Sequence, residues 1–139
     1  MPAENTHLPQ LRPIGVVHSL LRDPADAPRQ GREAGIEAEI EVFPEYAAAL
    51  QGIGERPRLL VVCWLHRSRR DLLQVPPRDG AGPPRGVFST RSPNRPNPLA
   101  VYPVEVLSVN RNRLRVRGID AVDGTPVVDL KPRVPRLDD

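Results

Sequence analysis

Cysteine is almost missing from this chain: Cys63 stands alone among 139 residues. No disulfide can form within the chain, and a reducing compartment suits it. One cysteine and three scattered histidines, His7, His18 and His66, do not supply a four-ligand zinc set, so no metal is expected. Long apolar runs are missing too. The longest, Leu59 to Leu65, is far short of the roughly 20 residues that a membrane helix needs. The N-terminus has no basic stretch leading into an apolar one, so no secretory signal is expected. These absences predict a soluble, cytoplasmic protein with no membrane role. Lysine is reduced to Lys131, so nearly all the positive charge is guanidinium, which suits planar phosphate or carboxylate recognition. Net charge is only +3, so any nucleic-acid surface has to be a local patch. There is no G-x-G-x-x-G between a strand and a helix, no P-loop and no nucleophile elbow.

Proline and glycine are present at 18 and 10. Proline interrupts almost every stretch long enough for a long helix. The length fits one domain, 1–139, with its core at about 12–132, a flexible arm at 1–9 and a short tail at 133–139. A strand is expected within Arg12–Ser19. Ile36, Ala38, Ile40 and Val42 alternate with Glu37, Glu39 and Glu41, the pattern of a strand with one solvated face. Phe43–Gly52 predicts a short helix, with proline early and glycine as its stop. Leu59–Leu65 predicts a central strand buried on both faces. Arg67–Leu73 reads as a helical turn, 74–86 as a loop, and Gly86–Ser89 as a brief strand. Leu99–Val109 is strand-like, with Pro103 marking an edge or a bulge. Asn110–Arg113 predicts a hairpin turn, Gly118 a bulge, Asp123-Gly124 a turn and Val127-Val128 a last strand. Many short strands with one or two short helices predict a mainly β fold, a small barrel or sandwich, non-Rossmann.

The chemistry concentrates in Gly86–Tyr102, GVFSTRSPNRPNPLAVY. Pro93, Pro96 and Pro98 fix the backbone at alternate points and constrain their neighbours, giving a stiff loop that carries Arg91 and Arg95. Preorganisation of this kind favours binding. Arg111, Arg113, Arg115 and Arg117 fall on one face of a strand and form a candidate phosphate stripe or a solvated face.

Four segments occur in one family's order and spacing. They are Pro28-Arg29-Gln30, the His66 that closes LLVVCWLH, GVFSTRSPNRPNPL (86–99) and DAVDGTPVVDLKP (120–132). On these motifs the chain resembles the TsaA-like (TrmO/YaeB-type) family of S-adenosylmethionine-dependent methyltransferases. The resemblance covers about residues 12–132. It implies a small β-barrel-like domain, often a homodimer, with S-adenosyl-L-methionine held by loops. By motif match, Pro28, Arg29, Gln30, His66, Arg67, Arg91, Leu99, Asp120, Asp123, Gly124, Thr125 and Pro126 are implied cofactor contacts. The family pattern has Gln after the histidine, where this chain has Arg67.

The resemblance also implies N-methylation of N6-threonylcarbamoyladenosine in tRNA. The sulfonium brings its own leaving group, so alignment and a dry pocket are the main demands. The acceptor nitrogen is weakly basic and calls for a proton acceptor, for which His66 and Asp129 are the candidates. Arg95, Asn97 and Lys131 are candidates to grip a phosphate or the substrate carboxylate. The TrmO branch has a further C-terminal domain after its K-P string, and only Arg133–Asp139 follows here. Two alternatives stay open: methylation of a small metabolite, and a non-catalytic module that binds S-adenosyl-L-methionine or RNA.

Overall fold

A computed structural model describes residues 8–23 and 36–138. The implied contacts Pro28, Arg29 and Gln30 lie outside the described residues, as does most of the expected N-terminal arm. Six antiparallel strands close into a barrel in the order β1-β2-β7-β6-β3-β8. They are β1 (Gly15–His18), β2 (Glu37–Val42), β3 (Arg58–Trp64), β6 (Leu99–Asn110), β7 (Arg113–Arg117) and β8 (Pro126–Pro132). β4 (Gln74–Val75) and β5 (Arg85–Gly86) form a separate small hairpin. The mainly β, non-Rossmann expectation holds, and closure settles barrel over sandwich.

Alternation explains the core. One side of each barrel strand points inward, and Val17, Ile40, Val42, Leu59, Val61, Cys63, Leu114, Val116 and Val127 fill the interior. Burial pushes the Cys63 thiol up to about 12, so it behaves as an inert small hydrophobe. Leu59–Leu65 was expected to be buried on both faces. Instead β3 alternates, with Leu59, Val61 and Cys63 buried and Leu60, Val62 and Trp64 half-buried. A strand in a closed barrel has a single inside, and its outer face receives only partial cover.

One end of the barrel is shut. The β2–β3 connection forms two 3-10 helices, Pro44–Leu50 and Ile53–Glu55, and Tyr46, Leu50 and Ile53 pack against the core. Gly52 between them takes φ 85°, a left-handed conformation that glycine adopts without strain. The β6–β7 hairpin turns here at Arg111-Asn112. Arg111, rather than an asparagine, takes the positive φ of 56°, and the Asn112 side-chain amide donates to the Val42 carbonyl at 2.8 Å.

The other end is open and carries the long connections. β1 ends there and β2 begins there; β3 ends there and β6 begins there; β7 ends there and β8 starts there. Three local expectations need correction in these connections. Residues 74–86 are not wholly loop, because β4 and β5 pair across a turn in which Asp79 accepts from the Ala81 amide. Gly86–Ser89 is not a strand beyond its first residue. Val87–Ser89 forms a 3-10 turn, in which the Ser89 and Thr90 hydroxyls bond back to the Gly86 and Val87 carbonyls and compete with a ladder. Arg67–Leu73 is irregular, since Arg69 folds onto Asp71 two residues on, at 2.7 and 3.0 Å, and not along a helix.

Two strand details also differ. Register shifts lie in β6, between Val106 and Ser108, and in β3 against β8, between Val62 and Cys63, and not at Gly118, which follows β7 at φ 111°. Pro103 sits inside a continuous β6, where it pairs with Leu60. β7 pairing starts only at Glu105, so the proline occupies a stretch that is open on the β7 side.

Candidate functional site

The open end holds a cavity of about 600 Å³. Its walls come from the turn after β3, the proline-rich loop before β6, the first half of β6, Arg78, and the segment from Gly118 to Thr125. Segments that are 50 or more residues apart in sequence meet here because every strand end involved faces the same way.

The proline-rich loop is tied down at several points. The Arg70 guanidinium donates to the Pro96 carbonyl at 2.7 Å and to Asn97 Oδ1 at 3.2 Å, and it lies 4.9 Å over the Trp64 ring. The Arg69 amide donates to Asn94 Oδ1, the Arg95 amide to the Arg69 carbonyl, and the Leu65 amide to the Pro98 carbonyl. Asn97 therefore serves as an anchor for Arg70 and does not line the cavity.

The cavity gathers much of the expected set. His66, Arg67, Arg91, Leu99, Asp120 and Thr125 all line it, and so does Arg95. Arg67 donates to the Arg22 carbonyl at 2.7 Å, Arg91 to the Val101 carbonyl at 3.3 Å, and Arg95 to the Thr90 and Ser92 carbonyls at 2.9 and 3.1 Å. These bonds orient the guanidiniums and leave their charge uncompensated. Among the described residues, none of Arg67, Arg78, Arg91 and Arg95 forms an ion pair, and the only carboxylate in the lining is Asp120.

Other expected residues stand apart. Asp123 does not line the cavity. Its carboxylate accepts from the Ser19 amide at 3.0 Å and from Arg22 at 2.8 Å, which fastens the end of β1 to this turn. Gly124 provides the turn at φ 85°, and its amide donates to the Val17 carbonyl. Thr125 is buried and its hydroxyl donates to the Val122 carbonyl at 2.7 Å. Pro126 begins β8 beside Val16. Asp129 and Lys131 lie further along β8, 3.4 Å from each other and outside the cavity lining.

Sequence reading missed Arg78 and Tyr102. Tyr102 is half-buried on β6, and it lines the cavity with Asp120. Burial raises the Asp120 carboxyl above its ordinary value, while the bonds from Tyr102 and from its own amide pull the other way. Burial and the Asp120 charge raise the Tyr102 phenol, so it stays protonated. An aromatic in the middle of a strand reads as packing, and no local signal points to its partner 18 positions on. Among the described residues no group of acids, histidines and cysteine is placed to hold a metal, and no helix is long and apolar enough to cross a membrane.

A closed antiparallel barrel whose loops build a cationic cavity at one rim defines a small non-Rossmann binding domain. The chain belongs to the tRNA-methyltransferase O N-terminal domain family, whose model matches residues 16–139. It is 48% identical over 128 residues to an S-adenosyl-L-methionine-binding protein of Archaeoglobus fulgidus, covering 92% of this chain and 91% of that one. It is 47% identical over 129 residues to a protein of Methanothermobacter thermautotrophicus named "Probable S-adenosyl-L-methionine-binding protein", covering 93% of each. The crystal structure of TrmO from Pseudomonas aeruginosa superposes with a TM-score of 0.79 at 29% identity, covering 99% of this chain and 60% of that one. The chain thus spans nearly the whole of the two archaeal relatives and under two thirds of the TrmO chain.

Proposed function

We propose that this protein binds S-adenosyl-L-methionine in the open-end cavity and transfers its methyl group to a nitrogen of N6-threonylcarbamoyladenosine in tRNA. The observation that carries the reading is the uncompensated charge of the cavity: among the described residues four guanidiniums and one carboxylate line it. Such a rim favours a ligand that carries phosphates or carboxylates, and RNA and a threonyl carboxylate both answer to that. The cavity volume falls in the usual range for cofactor sites, roughly 300–1,000 Å³. Leu65, Leu99 and Val101 offer an apolar wall for an adenine, and Arg67 or Arg91 would meet the methionyl carboxylate. When bound, the cofactor supplies an electrophilic methyl on a sulfonium. The protein's part is to align the acceptor and exclude water. The names of the archaeal relatives and the family assignment support the cofactor.

The test is methyl transfer from labelled S-adenosyl-L-methionine to bulk tRNA, with nucleoside analysis of the product. Label in a methylated threonylcarbamoyladenosine is expected; saturable cofactor binding without label in tRNA overturns the tRNA half. The archaeal relatives are named for binding alone, which favours a second reading, a module that binds the cofactor and transfers nothing. Pairing of two copies belongs to the proposal, supported by Leu107 and Val109, which are exposed in the second half of β6. A cytoplasmic site of action goes with a tRNA acceptor.

A further inference from the structure

We propose that Asp120, which lines the cavity together with Tyr102, is the proton acceptor of the transfer; the inference rests on the methyltransferase reading above. Motif matching puts Asp120 among the cofactor contacts and leaves His66 and Asp129 as bases, and the geometry distributes these roles differently. Asp129 points to Lys131 outside the cavity, and His66 is exposed on the rim. Asp120 lies between Ile119 and Ala121, both buried, and among the described residues it is the sole carboxylate that lines the cavity.

Its choice of partner is informative. Six carboxylates elsewhere, Glu37, Glu39, Glu41, Glu105, Asp71 and Asp123, form ion pairs with arginine. Asp120 shares its cavity with Arg67, Arg78, Arg91, Arg95 and His66, yet among the described residues it forms no ion pair with them, and the neutral Tyr102 lines the cavity with it. A guanidinium on the carboxylate would lower its basicity, whereas a phenol fixes its orientation at less cost to proton affinity. A carboxylate offers about four lone-pair sites, so Asp120 has acceptor capacity for a substrate N–H.

In the step itself, the acceptor nitrogen bonds to the methyl carbon. The carbon–sulfur bond breaks with its electron pair going to sulfur, and the N–H proton passes to the Asp120 carboxylate. Charge balances, since the sulfonium becomes a neutral thioether as the carboxylate becomes neutral.

Asp120→Asn and Tyr102→Phe test this. Calorimetry with S-adenosyl-L-methionine is expected to give Asp120→Asn an affinity within about threefold of wild type, while labelled transfer to bulk tRNA falls about 100-fold or more, the usual scale for loss of a general base. Loss of cofactor binding makes Asp120 a cofactor ligand and overturns the proposal, as does transfer at the wild-type rate. For Tyr102→Phe, carbon-13 NMR of labelled aspartate is expected to show the Asp120 carboxyl titrating at higher pH, and the acid limb of the transfer rate is expected to move up with it. An unmoved carboxyl removes Tyr102 from the role. Wild-type protein that transfers no methyl group sinks the methyltransferase reading and this inference with it, whereas active wild type beside an equally active Asp120→Asn sinks the inference alone.

Discussion

Arginines on β7 and arginines at the open rim of the barrel are the same side chain in opposite electrostatic states. Arg113, Arg115 and Arg117 lie on the outer barrel face beside β2, whose register sets Glu41, Glu39 and Glu37 opposite them. Arg113 meets Glu39 and Glu41 at 3.3 and 3.5 Å, Arg115 meets Glu37 at 3.0 Å, and Arg117 meets Glu105 at 2.9 Å. This ladder answers both period-two patterns in the sequence at once: the glutamate face and the arginine face are each other's partners. At the rim, Arg67, Arg91 and Arg95 are oriented by backbone carbonyls, which carry no net charge. The comparison teaches that the number of arginines in a segment does not measure its capacity for phosphate. What counts is whether the fold brings carboxylates alongside.

The sharpest way to break the contrast is to remove charge from each side and measure binding. Arg91→Ala is expected to weaken S-adenosyl-L-methionine by about tenfold or more, the scale of one lost charge-assisted hydrogen bond, in calorimetry. Arg115→Ala is expected to leave that affinity within twofold, about the precision of such comparisons. Equal losses at both sites would erase the distinction. Salt dependence gives the next largest effect. If the rim holds tRNA phosphates, Arg95→Ala lowers the slope of log affinity against log salt by about one, and Arg113→Ala leaves it unchanged. A slope carried by Arg113 would return the phosphate stripe to β7.

How much of this was legible follows from the range of each interaction. The alternation of β2, the turn glycine at 124 and the stiff loop 91–98 are local patterns, and they appear where expected. Pairing β2 with β7 depends on residues some 75 positions apart, as in Arg113 with Glu39, and no local pattern encodes it. The site behaves likewise. Arg91 and Asp120 stand out through family motifs, but the place of Arg78 and Tyr102 beside them comes only from barrel closure. Conversely, Asp123 and Asn97 sit in strong motifs, yet they hold Arg22 with the end of β1, and Arg70, respectively. A motif marks residues that the local architecture needs as well as those that touch a ligand.

Acid sharpens the comparison on the β2 side. The Glu41 carboxyl is held below its ordinary value, first by a hydrogen bond with His18 at 2.7 Å and then by the Arg113 charge, which together outweigh desolvation. A folded-state pKa below the unfolded one means that the ionised group favours the fold above the unfolded pKa. That contribution fades as pH falls through the folded value. Wild type is therefore expected to lose more of its urea midpoint than Glu41→Gln between about pH 5 and 3. Parallel curves would show that Glu41 titrates alike in both states.

The smallest effect comes from taking one rung out of the ladder. In Arg115→Ala the Glu37 pair is lost, but both partners are solvated, and Arg117 remains 3.5 Å from Glu37 to take up the charge. Exposed ion pairs of this kind contribute between about 0 and 1 kcal/mol, because water screens the attraction and holding two long side chains costs entropy. Urea unfolding at neutral pH is expected to fall by no more than about 1 kcal/mol, and by less still in high salt, where surface pairs are screened further. A loss several times larger that survives high salt would mean that Arg115 supports the barrel by packing its stem across β2. The β7 face would then be structural in a sense that ion pairing alone does not give it, and its contrast with the rim would widen.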